Sequence, residues 1–232
     1  MLYFPHPLTV DGEGLLAVGG DLSVQRLILA YSHGIFPWFN QDPILWWFTH
    51  PRCVLKPNHI KVSKSMRQLL RKNKSWKISI NRNFEFIIES CARTRRNGQI
   101  GTWITPEMED AYLNLRNHNL AHSVEVWENN KIIAGLYGVC IGRIFFGESM
   151  FTKVSNASKF ALIQFSRYLS YLGCNLIDCQ QVTDHMLSLG ATTFTKEEFY
   201  HHIKINLTHK NLPIHQESFE LWLDSRDQPV NL

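Results

Sequence analysis

The chain reads as an α+β fold built around a mixed sheet, and three observations carry that reading. Apolar and polar residues alternate over 122–128, 131–141 and 143–149, with turn formers Asn129-Asn130 and Gly142 at the breaks, the pattern of a strand meander. Helical spacing over 156–172 then leads into a short apolar strand at 175–180, so a helix and a further strand follow the meander. Residues 1–58 differ from the rest, with Gly12, Gly14, Gly19, Gly20, Pro37, Pro43 and Pro51 crowded among aromatics. The expected division is a small N-terminal α/β domain over 1–58 and a larger domain over 59–232, and 232 residues suffice for a substantial core.

The elements follow in order. Ser23 suits an N-cap for a helix to Ser32 whose inward face is Leu27, Ile28 and Tyr31. Ser63 opens a second helix, to about residue 73, with Met66, Leu69 and Leu70 recurring at helical spacing. A strand near 76–81, a helix near 83–92 and a helix near 106–118 precede the meander, and a short helix near 184–189 follows the strand at 175–180. His201-His202 have the character of exposed helix residues. No internal repeat or low-complexity segment is present.

Composition narrows the class. Hydrophobic residues make up 44% and charged residues 19% of the chain. No apolar run reaches the ~20 residues that cross a bilayer, and Met1-Leu2-Tyr3-Phe4-Pro5 lacks the basic flank and apolar centre of a signal peptide. Cys53, Cys91, Cys140, Cys174 and Cys179 form no CxxC pair and are read as reduced thiols of a cytoplasmic protein. The net charge of +4 is unevenly spread: residues 51–100 hold thirteen of the twenty-four Lys and Arg against Glu85 and Glu89 alone. Lys64, Arg67 and Arg71 form a stripe on the second helix, with Lys72 and Lys74 nearby. Such a stripe is either a solvated surface or a polyanion site, and its imbalance favours the polyanion.

Several chemistries are excluded by their motifs. There is no G-x-x-x-x-G-K-[ST] and no G-x-G-x-x-G. Gly147-Glu148-Ser149-Met150-Phe151 departs from the nucleophile elbow at its last glycine. His118 and His122 have helical ligand spacing but no intervening H-E-x-x-H glutamate, so they are expected to be surface or core histidines rather than metal ligands.

The strand Asn175-Leu176-Ile177-Asp178-Cys179-Gln180 is the most informative segment. Alternation places Leu176, Asp178 and Gln180 on one face and Ile177 and Cys179 on the other. A carboxylate and an amide on an apolar strand need partners, which makes them either a hydrogen-bonded core pair or a site.

Three segments together resemble one family. Gly14-Leu-Leu-Ala-Val-Gly-Gly-Asp-Leu-Ser23, Gly34-Ile-Phe-Pro-Trp-Phe39 with Ile44-Leu-Trp-Trp47, and the pair Gly147-Glu-Ser-Met-Phe151 and Ile177-Asp-Cys-Gln180 look like leucyl/phenylalanyl-tRNA–protein transferase over residues 4 to 200. The resemblance implies a GNAT-like acyltransferase domain beside the small domain. It also implies transfer of Leu, Phe or, less well, Met from aminoacyl-tRNA to the N-terminal amine of proteins beginning with Arg or Lys, which marks them for degradation. Asp178, Gln180 and Glu148 are then the catalytic candidates. Asp178 would hold the ammonium, Gln180 would align the amine, and Glu148 would meet the basic acceptor; a buried ion-paired Glu is the structural alternative. By the same resemblance Leu136, Phe145, Met150, Leu162, Phe165 and Ile177 line an aminoacyl pocket, each of which is otherwise plain core. Trp38 and Trp103 would hold the terminal adenosine, and Lys64, Arg67, Arg71 and Lys72 would contact tRNA. Trp46 and Trp47 would pack between domains. The expected protein is a monomer that needs no cofactor.

The chain departs from the family pattern at Phe48-Thr49-His50, at Thr183 and at Lys196. Lys196 keeps charge but loses the guanidinium fork. Two rivals stand beside this reading. A coenzyme A-dependent acetyltransferase needs [QR]-x-x-G-x-[GA], a spacing that Arg95 and Gly98 begin and Ile100 breaks. A non-catalytic RNA-binding module leaves Asp178, Gln180 and Glu148 without a purpose.

Overall fold

A computed structural model describes residues 3–94 and 104–227. Two sheets organise it. Strands β1 (Leu15–Val18), β2 (Phe36–Pro37) and β3 (Leu45–Trp47) form a small antiparallel sheet in the order β1-β3-β2, with helix α1 (Val24–Ser32) between β1 and β2 in sequence. The expected α1 forms as read: Ser23 Oγ accepts from Arg26 N, and Leu27 and Tyr31 are buried.

The larger sheet is seven-stranded and mixed. Its order is β10-β4-β9-β8-β7-β6-β5, from β4 (Arg52–Leu55), β5 (Lys77–Ile80), β6 (Ala121–Glu128), β7 (Lys131–Ile141), β8 (Ile144–Thr152), β9 (Leu176–Gln180) and β10 (Thr192–Phe194). All neighbours are antiparallel except β8 and β9. Helix α5 (Ala157–Tyr171) makes the crossover that a parallel pair requires. The fold is therefore α+β with a mixed sheet.

The meander closes through the turns its sequence names. Asn129 and Asn130 both have positive φ, which a two-residue hairpin of this hand needs, and Gly142 does the same for the second turn. At Gly138 a Cβ would stand 2.2 Å from Phe146 O and 2.6 Å from the Phe145 ring, so only glycine lets β7 lie this close to β8.

Helices cover both faces. α3 (Phe84–Arg93), α4 (Pro106–Asn117) and α1 pack with Tyr137, Val139, Phe146 and Leu176 in one core. α5 packs with Val124, Val126, Leu136, Phe145 and Ile177 in the other. α2 (Lys64–Lys72) is capped by Ser63 and buries Met66, with Leu69 and Leu70 half-buried. A short α6 (Asp184–Ser188) follows β9. α7 (Lys196–Asn206), opened by a Thr195/Glu198 capping box, and α8 (Gln216–Asp227) complete the described residues. Lys196 Nζ donates to the carbonyls of Leu8 at 3.3 Å and Val10 at 3.1 Å, tying α7 to the N-terminal segment.

Candidate active site

The β8–β9 ladder stops at Phe146 and Asp178, and a cavity of about 390 Å³ opens where the strands part. Two bulges shape it. Tyr137 pairs with Ser149 and Gly138 with Gly147, leaving Glu148 as the additional residue of β8. Val54 pairs with Asp178 and Cys53 with Gln180, leaving Cys179 as the additional residue of β9, and Gln180 is left-handed at φ 61°. A bulge re-aims side chains at the end of a ladder, and here two of them aim at one point. Leu176 packs in the first core and Ile177 in the second, while Asp178 and Gln180 turn toward Arg52 and Glu148.

Asp178 is fully buried and ion-paired. Arg52 Nε donates to Oδ1 at 2.8 Å and Nη2 to Oδ2 at 2.6 Å, a two-pronged pair with both side chains shielded from water. Arg52 Nη2 also donates to Gly34 O at 2.8 Å and Nη1 to Thr49 Oγ1 at 3.3 Å. The guanidinium lies 4.9 Å from the Phe36 ring centre and 4.5 Å from that of Phe199. The remaining capacity of Asp178 Oδ1 accepts the backbone N–H of Gln180 at 2.9 Å, which fixes the strained bulge.

Glu148 is 8% exposed and joins a different network. The Tyr31 hydroxyl stands 2.8 Å from Oε1 and the Tyr112 hydroxyl 2.8 Å from Oε2, the two hydroxyls are 2.6 Å apart, and Gln180 Nε2 donates to Oε1 at 3.0 Å. Burial pushes the carboxyl up from 4.5 to about 7, against the lowering by Tyr31 and Tyr112, and the charge of Asp178 adds to the rise. The geometry agrees: three oxygen–oxygen contacts among Glu148, Tyr31 and Tyr112 need three protons, and the two phenols supply two. A protonated Glu148 supplies the third. Burial, followed by the neighbouring Glu148, holds both phenols well above their usual range.

The other predicted residues fall as follows. Leu136, Phe145, Met150, Leu162 and Ile177 line the cavity, together with Trp38. Phe165 does not line it and packs edge-on behind Phe145 at 4.9 Å between ring centres. Trp47 Nε1 donates to Trp38 O, and its ring is 5.5 Å from that of Trp38, so Trp38 is held at the cavity wall. Trp103, Arg95 and Gly98 lie outside the described residues. Lys64, Arg67, Arg71 and Lys72 are exposed on α2, and Arg67 and Arg71 rim a wider cleft of about 1320 Å³ that also takes in Trp76, Lys77, Arg82 and Arg167. Sequence reasoning missed Arg52, Tyr31 and Tyr112 as site residues. A charged residue heading the apolar run Cys53-Val54-Leu55 and a tyrosine on the inward face of α1 were the signals, because both must find partners when buried.

A model of the leucyl/phenylalanyl-tRNA protein transferase family matches residues 54–204, and a model of that family's N-terminal domain matches residues 20–50. The chain belongs to this family. It is accordingly an aminoacyltransferase. A leucyl/phenylalanyl-tRNA–protein transferase of Flavobacterium johnsoniae is 49% identical over 85% of this chain and 93% of its own. Its counterpart in Nitrosospira multiformis is 48% identical over 96% of this chain and 93% of its own. Among solved structures, an aminoglycoside acetyltransferase from a soil metagenomic sample covers 62% of this chain and 95% of its own, at TM-score 0.37 and 17% identity.

Proposed function

We propose that this transferase moves Leu, Phe and, less well, Met from aminoacyl-tRNA to the N-terminal amine of proteins beginning with Arg or Lys, marking them for degradation. The observation that carries the reading is one cavity with an apolar end, from Leu136 to Leu162, and a polar end at Glu148 and Gln180. Leu, Phe and Met differ by little more than methylenes, which an apolar pocket discriminates by about 1–3 kcal/mol, so a Met-walled slot admits all three unevenly.

The chemistry asks little of the protein. The acceptor amine has an ordinary pKa of about 7.7–8.0, against about 10.4 for a lysine side chain, so much of it is already neutral. Its nitrogen attacks the ester carbonyl, the bond to the tRNA ribose oxygen breaks, and the proton that the amine loses ends on that oxygen. Positioning is therefore the main demand. With its Nε2 held by Glu148, Gln180 offers its carbonyl oxygen to the amine, while Asp178, neutralised by Arg52, fixes the Gln180 backbone rather than holding the ammonium itself. Of the described carboxyl groups lining the cavity only Glu148 lacks a cationic partner, and a cationic acceptor beside it would displace its proton and pair with the resulting carboxylate. Trp38 stacks on the terminal adenosine, with Trp103 as its partner, and α2 meets tRNA phosphates.

In this reading the small domain expected over 1–58 stops before β4, whose residues Arg52–Leu55 are a strand of the larger sheet, and the protein works as a monomer in the cytoplasm, where charged tRNA is made. No described helix is long and apolar enough to cross a membrane. The test is transfer of labelled Leu from tRNA to peptides. An Arg-starting peptide should be labelled and an Ala-starting one should receive little. Equal labelling would remove the acceptor role of Glu148, and consumption of acetyl-CoA in place of Leu-tRNA would favour the acetyltransferase.

A further inference from the structure

Two thiols at the rear of the cavity have no part in the transfer chemistry. Cys53 on β4 stands opposite the β9 bulge, and the additional residue of that bulge is Cys179. Both side chains turn to the second core, where Cys53 is buried and Cys179 packs against it, and the two thiols are close enough to act on each other's acidity. Cys179 is half-buried and lines the cavity, whereas Cys53 is sealed behind it. The pair therefore has one sulfur that a small solute reaches and one that it does not.

Access and pairing set this pair apart from the other cysteines. The Cys179 S–H, the Thr183 backbone N–H and the nearby Arg52 guanidinium hold the Cys53 thiol below its ordinary value in spite of burial. The neighbouring Cys53 thiol, with burial, raises Cys179 well above its ordinary value, and burial raises Cys140 to about 12 and Cys174 higher still; what distinguishes Cys179 is that it lines the cavity and has a second thiol beside it, whereas Cys140 and Cys174 are sealed in the core. Cys91 is buried on α3, in the opposite core.

We propose that Cys53 and Cys179 are an oxidative modification site, at which a hydroperoxide entering the cavity closes a disulfide and switches transfer off. The Cys179 sulfur takes the terminal peroxide oxygen as the O–O bond breaks, giving a sulfenic acid and an alcohol, or water from hydrogen peroxide. The Cys53 sulfur then attacks the sulfenic sulfur, the S–S bond forms, and the sulfenic oxygen leaves as water with the Cys53 proton and the sulfenic proton. Two thiols are oxidised and one peroxide is reduced. Drawing two non-bonded sulfurs to covalent distance pulls the bulge toward β4, and Gln180 is the next residue, already held at positive φ by Asp178. Its amide then leaves Glu148. This consequence rests on the aminoacyl-transfer reading, whereas the pairing of the thiols does not.

The test treats the reduced full-length protein with hydrogen peroxide, maps thiol pairing by peptide mass, and follows Leu transfer in parallel. A Cys53–Cys179 linked peptide should appear, transfer should fall on the order of a hundredfold because the aligning group is displaced, and a thiol reductant should restore both. Cys53→Ala should keep its starting activity and form no linked peptide, and in excess peroxide its unresolved Cys179 sulfenic acid should take a second oxygen to become sulfinic acid, which a thiol reductant does not reverse. The proposal is overturned if peroxide oxidises Cys179 without linking it to Cys53, or if the linked protein transfers Leu unchanged. Absent transfer before oxidation would instead count against the proposed function, and the peptide map would still decide the pairing.

Discussion

Glu148→Gln isolates the most unusual electrostatic feature of the site. Burial, with the Asp178 charge behind it, moves the Glu148 carboxyl from 4.5 to about 7, so the folded protein keeps a proton that the unfolded chain gives up. The sign follows: the stability of the neutral form is fully present below about pH 4.5 and is lost as pH rises through about 7. At 1.36 kcal/mol per pKa unit the loss is about 3 kcal/mol. Glutamine has the same shape, can donate from its amide to the Tyr31–Tyr112 pair, and has no proton to release. Urea unfolding of both proteins between pH 4.5 and 8 measures the effect. The stability of the wild type relative to Glu148→Gln should fall by about 3 kcal/mol across that range, with most of the fall complete by pH 7.5. The difference between proteins matters, because histidines titrating in the same window act on both alike. A flat difference would falsify the assignment of a proton to Glu148 and the three-proton count with it.

Three further outcomes are expected. Arg52→Met strands a buried Asp178 carboxylate and should cost about 3–5 kcal/mol in chemical denaturation, whereas Arg52→Lys keeps the charge and should recover folding better than transfer; a loss below about 1 kcal/mol for the methionine variant would show that the pair does not anchor the bulge. Lys64→Glu with Arg71→Glu should weaken tRNA binding and flatten its salt dependence, and an unchanged binding isotherm would reduce α2 to a solvated face. Leu136→Phe narrows the slot and should lower transfer of Phe relative to Leu by about tenfold, checked by competition between the two charged tRNAs; an unchanged ratio would place the side chain elsewhere.

Much of the fold was legible because its signals are local. Ser23, Ser63, Asn83 and Thr105 each cap the helix that the spacing behind them predicts. The meander was readable from alternation and from Asn129-Asn130. The short strands β1 to β4 and β10 were not, because two to four residues carry no period, and their ladders are closed by partners far away in sequence. α7 was read only through the helical character of His201-His202, although Thr195 and Glu198 spell out a capping box, and α8 carries too weak a stripe to stand out.

The sequence by itself determined the α+β class, the family resemblance and the placing of a carboxylate and an amide two residues apart on one short strand, since alternation along a strand is a property of the backbone alone. Only the tertiary structure decided what those groups do. Arg52 reaches Asp178 across 126 positions and Tyr31 reaches Glu148 across 117. The two bulges that aim Glu148 and Gln180 at each other exist only once β4, β9, β8 and β7 are laid side by side. Hydrogen bonds and burial act through space over a few ångströms, and no local pattern of residues encodes which distant side chain will come to stand there.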